Sequence, residues 1–291
     1  MPVSAAVATF GERLRSDAKR VAVATGSGFD EALAMIHRLA QNRMNMSAAL
    51  RIAHERDPVA AFDIAPYLQD VARLAAGEPL AYVLGTQPFR EHVFIVTPDV
   101  LIPRPDTEVL VAKALDHLPA QVPAHVLDLG TGSGCIAISI ALERPHAEVT
   151  AVDTSVGALQ IARLNAERLH AGNVWFLRSD WFEGLQGRRF DLIAANPPYV
   201  AAADPHLAAL GHEPTAALVA GPDGLDAIRR IVADAPEHLG PGGMLLVEHG
   251  YDQRDAVLAL FRGAGFVDLQ TVDDLAGRAR VIVGRLERSG A

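Results

Sequence analysis

An apolar strand that runs directly into a glycine-rich turn constrains the fold of this chain more than any other feature. The segment reads Leu127-Asp128-Leu129-Gly130-Thr131-Gly132-Ser133-Gly134, and a helical pattern follows it. Glycines let a backbone turn tightly and approach a ligand closely. The helix that follows points its first N–H groups at the same space. This order of elements predicts the first unit of a nucleotide-binding α/β domain.

Alternation of strand and helix patterns continues toward the end of the chain. Strands are predicted at residues 125–129, 148–152, 174–177, 190–195 and 244–247, with two more near Leu269 and at 281–283. Helices are predicted at 134–142, 155–170, 223–239 and 253–264, and the Gly-Pro-Gly-Gly run at 240–243 is interpreted as a turn. Such alternation predicts a mostly parallel sheet with helices on both faces. Ligands of such sheets bind beyond the carboxyl ends of the strands.

The sequence before this region has a different pattern. Residues 1–76 show helical periodicity and no alternation of the β type. A Gly-Glu-Pro run at 77–79 ends the last helix, and β-type residues at 82–84 and 93–96 follow it. We therefore predict a small helical domain at 1–76, a β-hairpin linker at 77–103 and an α/β domain at 104–291.

The composition narrows the class of protein. Half of the residues are hydrophobic and the net charge is −9, which favours a folded core and argues against a broad nucleic-acid-binding surface. The single cysteine, Cys135, leaves no intramolecular disulfide, as in a reducing cytoplasm. No apolar stretch approaches the length of a bilayer span, and the N-terminus lacks the apolar block of a secretory signal. We expect a cytoplasmic protein with no membrane partner and, because the histidines are scattered, no metal site.

The glycine-rich turn and the end of the second strand together predict a nucleoside-binding site. Asp153 follows that strand, and a carboxylate there can accept hydrogen bonds from both ribose hydroxyls. A dinucleotide site prefers G-x-G-x-x-G, whereas the spacing here is G-x-G-x-G with Cys135 in place of the last glycine. The spacing fits S-adenosylmethionine better, because that cofactor has no pyrophosphate to hold. The alternative is that the glycines form only a tight turn and Asp153 caps a helix.

Two residues after the third strand could contact the adenine of such a cofactor. Asp180 could accept a hydrogen bond from the adenine amino group, and Trp181 could cover the ring. The alternative for Trp181 is an ordinary place in the hydrophobic core.

A rigid corner after the fourth strand indicates the chemistry. It reads Asn196-Pro197-Pro198-Tyr199, and its prolines fix the path of the backbone. The Asn196 side-chain oxygen and the Pro197 carbonyl could accept the two protons of an amide nitrogen, while Tyr199 stacks on the amide or forms a wall. Such a grip suits methylation of nitrogen, and we expect no general base. His249 and Cys135 are interpreted as structural. Arg104 could help to shape the cofactor pocket or could pair with Asp106 or Glu108 in a structural turn, and the second is favoured.

Taken in order, these motifs resemble the bacterial protein-(glutamine-N5) methyltransferase family, in particular the branch that acts on peptide chain release factors. The resemblance covers about residues 77–285 and rests on the runs at 101–108, 128–134, 179–182, 196–199, 213–218 and 247–250. It implies a Rossmann-like class I methyltransferase domain with a seven-stranded sheet, a helical N-terminal domain that binds the substrate protein, and a hairpin linker.

The resemblance also implies a cofactor, a substrate and residue roles. S-adenosylmethionine would contact residues 130–134, Asp153 and Trp181. Residues 196–199 would hold a glutamine of the Gly-Gly-Gln motif of class I release factors. The alternatives are methylation of a ribosomal-protein glutamine and methylation of adenine N6 in nucleic acid, which the acidic charge disfavours. A nicotinamide-dependent dehydrogenase is disfavoured by the glycine spacing, and a non-catalytic partner protein by the intact corner.

Overall fold

A computed structural model describes residues 8–287 of the chain, which divides into two compact units at Gly85 and Thr86. The first unit is helical. It contains α1 (Phe10–Thr25), α2 (Phe29–Arg43), α3 (Ala48–Ala53), a 3₁₀ helix (Val59–Ala61), α4 (Ala65–Ala75) and α5 (Leu80–Leu84). Thr9 caps α1 in a capping box, in which its hydroxyl accepts from the Glu12 N–H and its own N–H donates to the Glu12 carboxylate.

The core of the first unit is a single apolar cluster. The helices α1, α2 and α4 each place one apolar stripe against it, and the members include Phe10, Leu14, Ile36, Leu39, Tyr67 and Val71. Two carboxylates of this unit are buried: Asp17 accepts hydrogen bonds from Tyr67 at 3.0 Å and from Arg13 at 2.8 Å, and Asp70 pairs with Arg43 and Arg73. The first unit therefore has its own apolar core and buried carboxylates that are paired within it.

The second unit contains a two-stranded hairpin followed by an α/β fold. Its strands are β1 (Thr86–Phe89), β2 (His92–Ile95), β3 (Ala124–Leu129), β4 (Ala147–Asp153), β5 (Val174–Arg178), β6 (Phe190–Ala195), β7 (Leu239–Glu248), β8 (Phe266–Asp273) and β9 (Ala279–Leu286). Its helices are α6 (Thr107–His117), α7 (Cys135–Glu143), α8 (Val156–Leu169), α9 (Asp226–His238) and α10 (Arg254–Gly263), with 3₁₀ helices at Pro205–Leu210 and Thr215–Ala217.

The large sheet has seven strands in the order β5-β4-β3-β6-β7-β9-β8. Strands β3 to β7 run parallel, and β9 is antiparallel to both β7 and β8. One face of the sheet packs against α6, α7 and α8, and the other packs against α9 and α10. The prediction of a mostly parallel seven-stranded sheet with helices on both faces is confirmed.

The order of the strands reverses between β3 and β6, so these neighbours form the topological switch point of the sheet. Leu129 at the end of β3 is paired with Ala195 at the end of β6. The glycine-rich turn and the Asn196 corner therefore leave the sheet side by side. Open α/β sheets bind ligands at this position.

Two local predictions are wrong, and one helix was not predicted. Residues 82–84 are helical in α5, because their apolar side chains pack on the helical core and Gly85 ends the helix at φ +73°; burial outweighs their β propensity. No element was predicted between 104 and 120, where α6 lies. The run at 240–243 belongs to β7, since a register shift opposite residues 190–192 admits it into the strand. The hairpin itself is β1–β2, within the second unit.

Candidate active site

A cavity of about 360 Å³ opens beyond the carboxyl ends of β3, β4 and β6. Most of the predicted site residues line it, namely Gly130, Thr131, Gly132, Ser133, Asp153, Asp180, Trp181, Asn196 and Pro198. Arg104, which the sequence offered as a residue that shapes the pocket, also lines it. Further lining comes from segments that the sequence interpretation did not place there: residues 99–101, Pro103, Thr107, Pro214, Ala216 and Ala217. Gly134, Pro197 and Tyr199 are absent from the lining.

The glycine-rich turn is held open by left-handed backbone conformations. Gly130 has φ +69° and Gly132 has φ +55°, a region that side chains with a Cβ rarely occupy. The N–H of Gly132 donates to Asp153 Oδ2 at 2.9 Å, and the N–H of Ser155 donates to Oδ1 at 2.8 Å. Each Asp153 oxygen has a further lone pair for a ligand. The capping side chain of α8 is Ser155 rather than Asp153, because its hydroxyl accepts from the Ala158 N–H.

Gly134 has a packing role beneath this turn. Its φ is +83°, and a Cβ there would lie 2.7 Å from Ile138 Cδ1 and 3.2 Å from Ala162 Cβ. A glycine at this point lets α7 begin close against α8. Gly134 thus permits this close approach although Cys135 stands at the last glycine position of the dinucleotide pattern.

Below the turn lies a fully buried carboxylate that the sequence interpretation did not single out. Asp128 Oδ2 accepts from the Thr131 hydroxyl at 2.6 Å and from the Ala137 N–H at 3.2 Å. Its Oδ1 has no hydrogen-bond partner. Burial raises the pKa of Asp128 to about 7, against the lowering effect of these hydrogen bonds.

Asp180 and Trp181 both face the cavity. Both oxygens of Asp180 accept from Arg230 at 2.9 Å, which leaves the carboxylate fixed but still lining the cavity. The Trp181 ring lies over the glycine turn, where a Cβ on Gly130 would be 3.5 Å from Trp181 Cζ3. Trp181 also packs against the core cluster on the α9 face of the sheet. Trp181 therefore fits both interpretations, because its ring lines the cavity and also packs against the core.

The Asn196 carboxamide is hydrogen-bonded to α6. Its Nδ2 donates to the Thr107 hydroxyl at 3.0 Å, which leaves Oδ1 available to accept from a ligand. At the far side of the corner, the Tyr199 hydroxyl donates to Glu248 Oε1 at 3.3 Å, and the Tyr199 carbonyl accepts from Gln253 at 2.9 Å. The corner is therefore tied to α6, β7 and the start of α10.

A second tie holds the segment that precedes α6. Arg104 pairs with Glu213, not with Asp106 or Glu108 as the sequence suggested. Glu213 is buried and its Oε2 also accepts from the Ile102 N–H at 3.0 Å. Asp106 pairs instead with Arg280 at 2.9 Å. Sequence distance explains the error, since Arg104 and Glu213 are brought together only by the fold.

The remaining titratable candidates have structural surroundings. Burial raises the pKa of the Cys135 thiol to about 12, so the group is not a thiolate nucleophile at neutral pH. His249 is fully buried and does not line the cavity, its Nδ1 lies 2.7 Å from the Gly250 carbonyl oxygen, and burial lowers its pKa.

Across residues 8–287, no group of three His, Cys, Asp or Glu side chains could hold a metal ion. Over the same residues, no helix is both long and apolar enough to cross a bilayer.

Two of the residues around the corner could have been found from the sequence. Thr107 lies in the Ile-Pro-Arg-Pro-Asp-Thr-Glu run, and Glu248 lies in the Val-Glu-His-Gly run after the fifth parallel strand. Both runs supported the family resemblance, yet neither residue was assigned a role. The missing signal was α6 itself, whose buried residues 107, 110, 111, 114 and 115 have helical spacing.

Comparison with known families agrees with this architecture. A family model described as "Methyltransferase small domain" matches residues 107–213, and one described as "PrmC N-terminal domain" matches residues 22–85. Among solved structures, a methyltransferase from Pyrococcus furiosus superposes with a TM-score of 0.51 at 19% identity, covering 67% of this chain and 88% of that one. The Thermus thermophilus 16S rRNA N2 G1207 methyltransferase, in complex with AdoMet and guanosine, gives 0.52 at 23%, covering 69% and 50%. These superpositions establish the class I methyltransferase fold.

Curated relatives are much more similar. The release factor glutamine methyltransferase of Bordetella pertussis is 49% identical over 251 residues, covering 85% of this chain and 93% of the relative. The enzymes of the same name from Burkholderia pseudomallei and Pseudomonas aeruginosa are 47% and 52% identical, covering 88% and 74% of this chain and 91% and 78% of the relatives. With this identity over nearly the whole length, the chain belongs to the release factor glutamine methyltransferase family.

Proposed function

We propose that this chain transfers a methyl group from S-adenosylmethionine to the side-chain amide nitrogen of a glutamine in peptide chain release factors. The observation that carries the proposal is the pairing of Leu129 with Ala195, which brings the glycine turn and the Asn196 corner to one cavity. A methyl donor and an amide held at these two places would be neighbours. The names of the relatives supply the class of substrate.

The residues of the cavity fit the cofactor. The turn at residues 130–133 presents backbone rather than bulky side chains, and Asp153 keeps free lone pairs for ribose hydroxyls. Trp181 provides an aromatic surface and Asp180 an acceptor for the adenine. We assign cofactor binding to these residues, and to Gly134 an indirect role through the packing of the turn. When bound, S-adenosylmethionine supplies a methyl group on a positively charged sulfur.

The corner would hold the substrate amide. Asn196 Oδ1 accepts one amide proton, and we assign the second to the Pro197 carbonyl, with Pro198 and Tyr199 shaping the site. An amide nitrogen is a poor nucleophile because its lone pair is delocalised, so its orientation matters. Positioning can lower such a barrier by about 7–11 kcal/mol in favourable cases. The two acceptor oxygens also stabilise the positive charge that develops on the nitrogen. The excess proton then leaves to water.

The corner is tested by replacing its carboxamide. Asn196→Ala removes the acceptor and should lower kcat by about a hundredfold or more. The dissociation constant of S-adenosylmethionine, measured by calorimetry, should change by less than about threefold, since Asp153 and the turn are intact. Gln270→Ala is the matched control, because it removes an exposed carboxamide from β8 outside the cavity lining. A variant at Asn196 with near-normal turnover contradicts the assignment.

The substrate class is tested by competition between acceptors. The enzyme is incubated with S-adenosylmethionine labelled in the methyl group and, separately, with release factors, ribosomal proteins or DNA. We expect label in release factors, on one glutamine by mass spectrometry. Label only in ribosomal proteins or only in DNA would replace the proposal with one of the alternative substrates.

We further propose roles for the parts outside the cavity. The helical unit before Thr86 binds the substrate protein, while the second unit carries the chemistry. We place the reaction in the cytoplasm, where translation terminates.

A further inference from the structure

Either the acceptor or the donor end of the Asn196 carboxamide could face the cavity, and the choice involves its hydrogen-bond partner Thr107. A side-chain amide has an acceptor end and a donor end of nearly equal size, and either can point at a ligand. Here Nδ2 donates to the Thr107 hydroxyl at 3.0 Å. Thr107 is only 1% exposed and sits at the start of α6. Its hydroxyl can in principle accept from Nδ2 or donate to Oδ1, so Thr107 alone does not settle the orientation.

The direction of this hydrogen bond is set by the next group, Glu248. The Glu248 carboxylate is fully buried at the end of β7. It accepts from the Tyr199 hydroxyl at 3.3 Å, and Thr107 is close enough to lower its pKa as a hydrogen-bond donor. An ionised carboxylate can only accept. When the Thr107 hydroxyl donates to Glu248, its oxygen accepts from Asn196 Nδ2, in agreement with the 3.0 Å contact.

We propose that Thr107 and Glu248 are positioning residues that hold the acceptor end of the Asn196 carboxamide toward the cavity, so that the site selects a substrate with N–H donors. The proposal rests on the proposed function, because the donor in question is the glutamine amide. Thr107 and Glu248 would act on the substrate site through Asn196, and neither needs to touch the substrate.

The chain of hydrogen bonds from Glu248 through Thr107 to Asn196, called the relay below, depends on the charge of Glu248. The groups that face Glu248 are Arg280 of β9, Asp106 before α6, Tyr199 and Cys135, with His249 next to it on the chain. Arg280 is itself paired with Asp106 at 2.9 Å and with Asp274 at 3.1 Å, so its positive charge is shared. Burial raises the pKa of Glu248 to about 7, against the lowering effects of Thr107, Arg280 and Tyr199. One carboxylate oxygen, Oε2, has no hydrogen-bond partner.

Protonation of Glu248 would permit the opposite chain of hydrogen bonds. The carboxylic acid could donate to Thr107, Thr107 could donate to Asn196 Oδ1, and the Asn196 NH2 group would face the cavity. The N–H groups of Asn196 would then face the N–H groups of the substrate amide, and two donors repel each other. Turnover should therefore fall as the pH is lowered through the pKa of Glu248, with kcat affected more than the binding of the cofactor.

The test compares variants that keep the shape of each side chain. Thr107→Val removes the hydroxyl and should lower kcat about tenfold or more, with the dissociation constant of S-adenosylmethionine within about threefold of the wild type. Thr107→Ser restores the hydroxyl and should recover most of the turnover. Thr271→Val, at an exposed threonine of β8, is the control for the substitution itself. Equal turnover in Thr107→Val and Thr107→Ser overturns the proposal.

Glu248→Gln gives an independent readout. Its side chain does not titrate, so the acidic limb of the kcat profile should disappear, whereas the wild-type kcat should rise with pH around the pKa of Glu248. A Glu248→Gln enzyme with the wild-type pH profile overturns the relay. Thermal melting establishes that each variant is folded.

A measurement without substrate separates this proposal from the proposed function. The side-chain NH2 resonances of Asn196 in a ¹⁵N-labelled protein should move in Thr107→Val and remain near their wild-type position in Thr107→Ser. If wild-type enzyme fails to methylate release factors but these resonances respond as expected, the substrate assignment fails and the relay stands. If methylation is observed and the resonances are identical in both variants, the relay fails alone.

Discussion

At the scale of single residues, the buried carboxylate of Asp128 shows how the cofactor turn is built. It accepts from Thr131 and from the first turn of α7, and so ties the two ends of the glycine loop together. Its second oxygen has no partner in a fully buried place, which is costly for a charged group. The loop is thus held together by a carboxyl group whose protonated form is favoured by burial.

Asp128 should make the stability of the protein depend on pH. Burial raises its pKa from the ordinary range to about 7, so between these values the folded protein binds a proton that the unfolded chain does not. The contribution to stability is therefore lost as the pH rises toward 7. Asp128→Asn removes this titration. Relative to the wild type, its free energy of unfolding should improve by roughly 1–3 kcal/mol between about pH 5 and about pH 8.

Urea unfolding at the two pH values measures this difference. Asp268→Asn, which changes an exposed carboxylate of β8 paired with Arg285, serves as the control. The idea is refuted if Asp128→Asn and the wild type differ by the same amount at both pH values.

Sequence reasoning placed residues with an obvious chemical signature beside the cavity and did not single out the residues that contact them from behind. Glycines, Asp153 and the Asn196 corner stand at strand ends, and their spacing identifies them. Thr107 and Glu248 have meaning only once α6 and β7 lie on either side of the corner. The pairing of Arg104 with Glu213 was likewise unpredictable, because it depends on how two distant loops fold over the cavity.

At the scale of elements, the approach of α7 to α8 decides whether the cofactor turn can form. Gly134 stands where α7 begins, and its backbone adopts φ +83°. The sheet strands were predicted well because each is a short apolar run between turn residues. The errors in α5 and β7 arose where tertiary packing and a register shift outweigh local propensity.

Gly134→Ala should destabilise the protein and weaken the cofactor site. A methyl group there would meet Ile138 at 2.7 Å and Ala162 at 3.2 Å, in a backbone conformation that alanine rarely adopts. The cost should be about 1–3 kcal/mol, seen as a melting temperature several degrees lower. Gly172→Ala is the matched control, since a Cβ there would have no atom within 4 Å. Equal melting temperatures for the two variants would show that the close packing at Gly134 is unimportant.

At the scale of the whole molecule, the chain folds as two compact units, residues 1–85 and 86–291. The lining of the cavity comes from residues 99–217, all in the second unit. The first unit has a hydrophobic cluster of its own. The predicted boundary at 76 differs from the division at 85, because the segment between them forms α5 and belongs to the helical unit.

A fragment of residues 86–291 should separate cofactor binding from recognition of the substrate protein. It should fold cooperatively and bind S-adenosylmethionine within about threefold of the full chain by calorimetry. Toward an intact release factor, its kcat/KM should fall about tenfold or more, because contacts that add to the effective concentration of the glutamine are lost. A short peptide that contains the glutamine should be methylated equally by fragment and full chain. Undiminished kcat/KM on the intact factor would remove the proposed role of the helical unit.

The lone thiol in the cavity wall has a consequence for the lifetime of the catalyst. An enzyme that keeps an alkylating agent beside a sulfur nucleophile risks consuming it on itself and being inactivated after a single encounter. Because Cys135 is buried and its pKa is raised to about 12, almost none of it is ionised at neutral pH. The sulfur is thereby kept unreactive, and the methyl donor is spared for the intended acceptor.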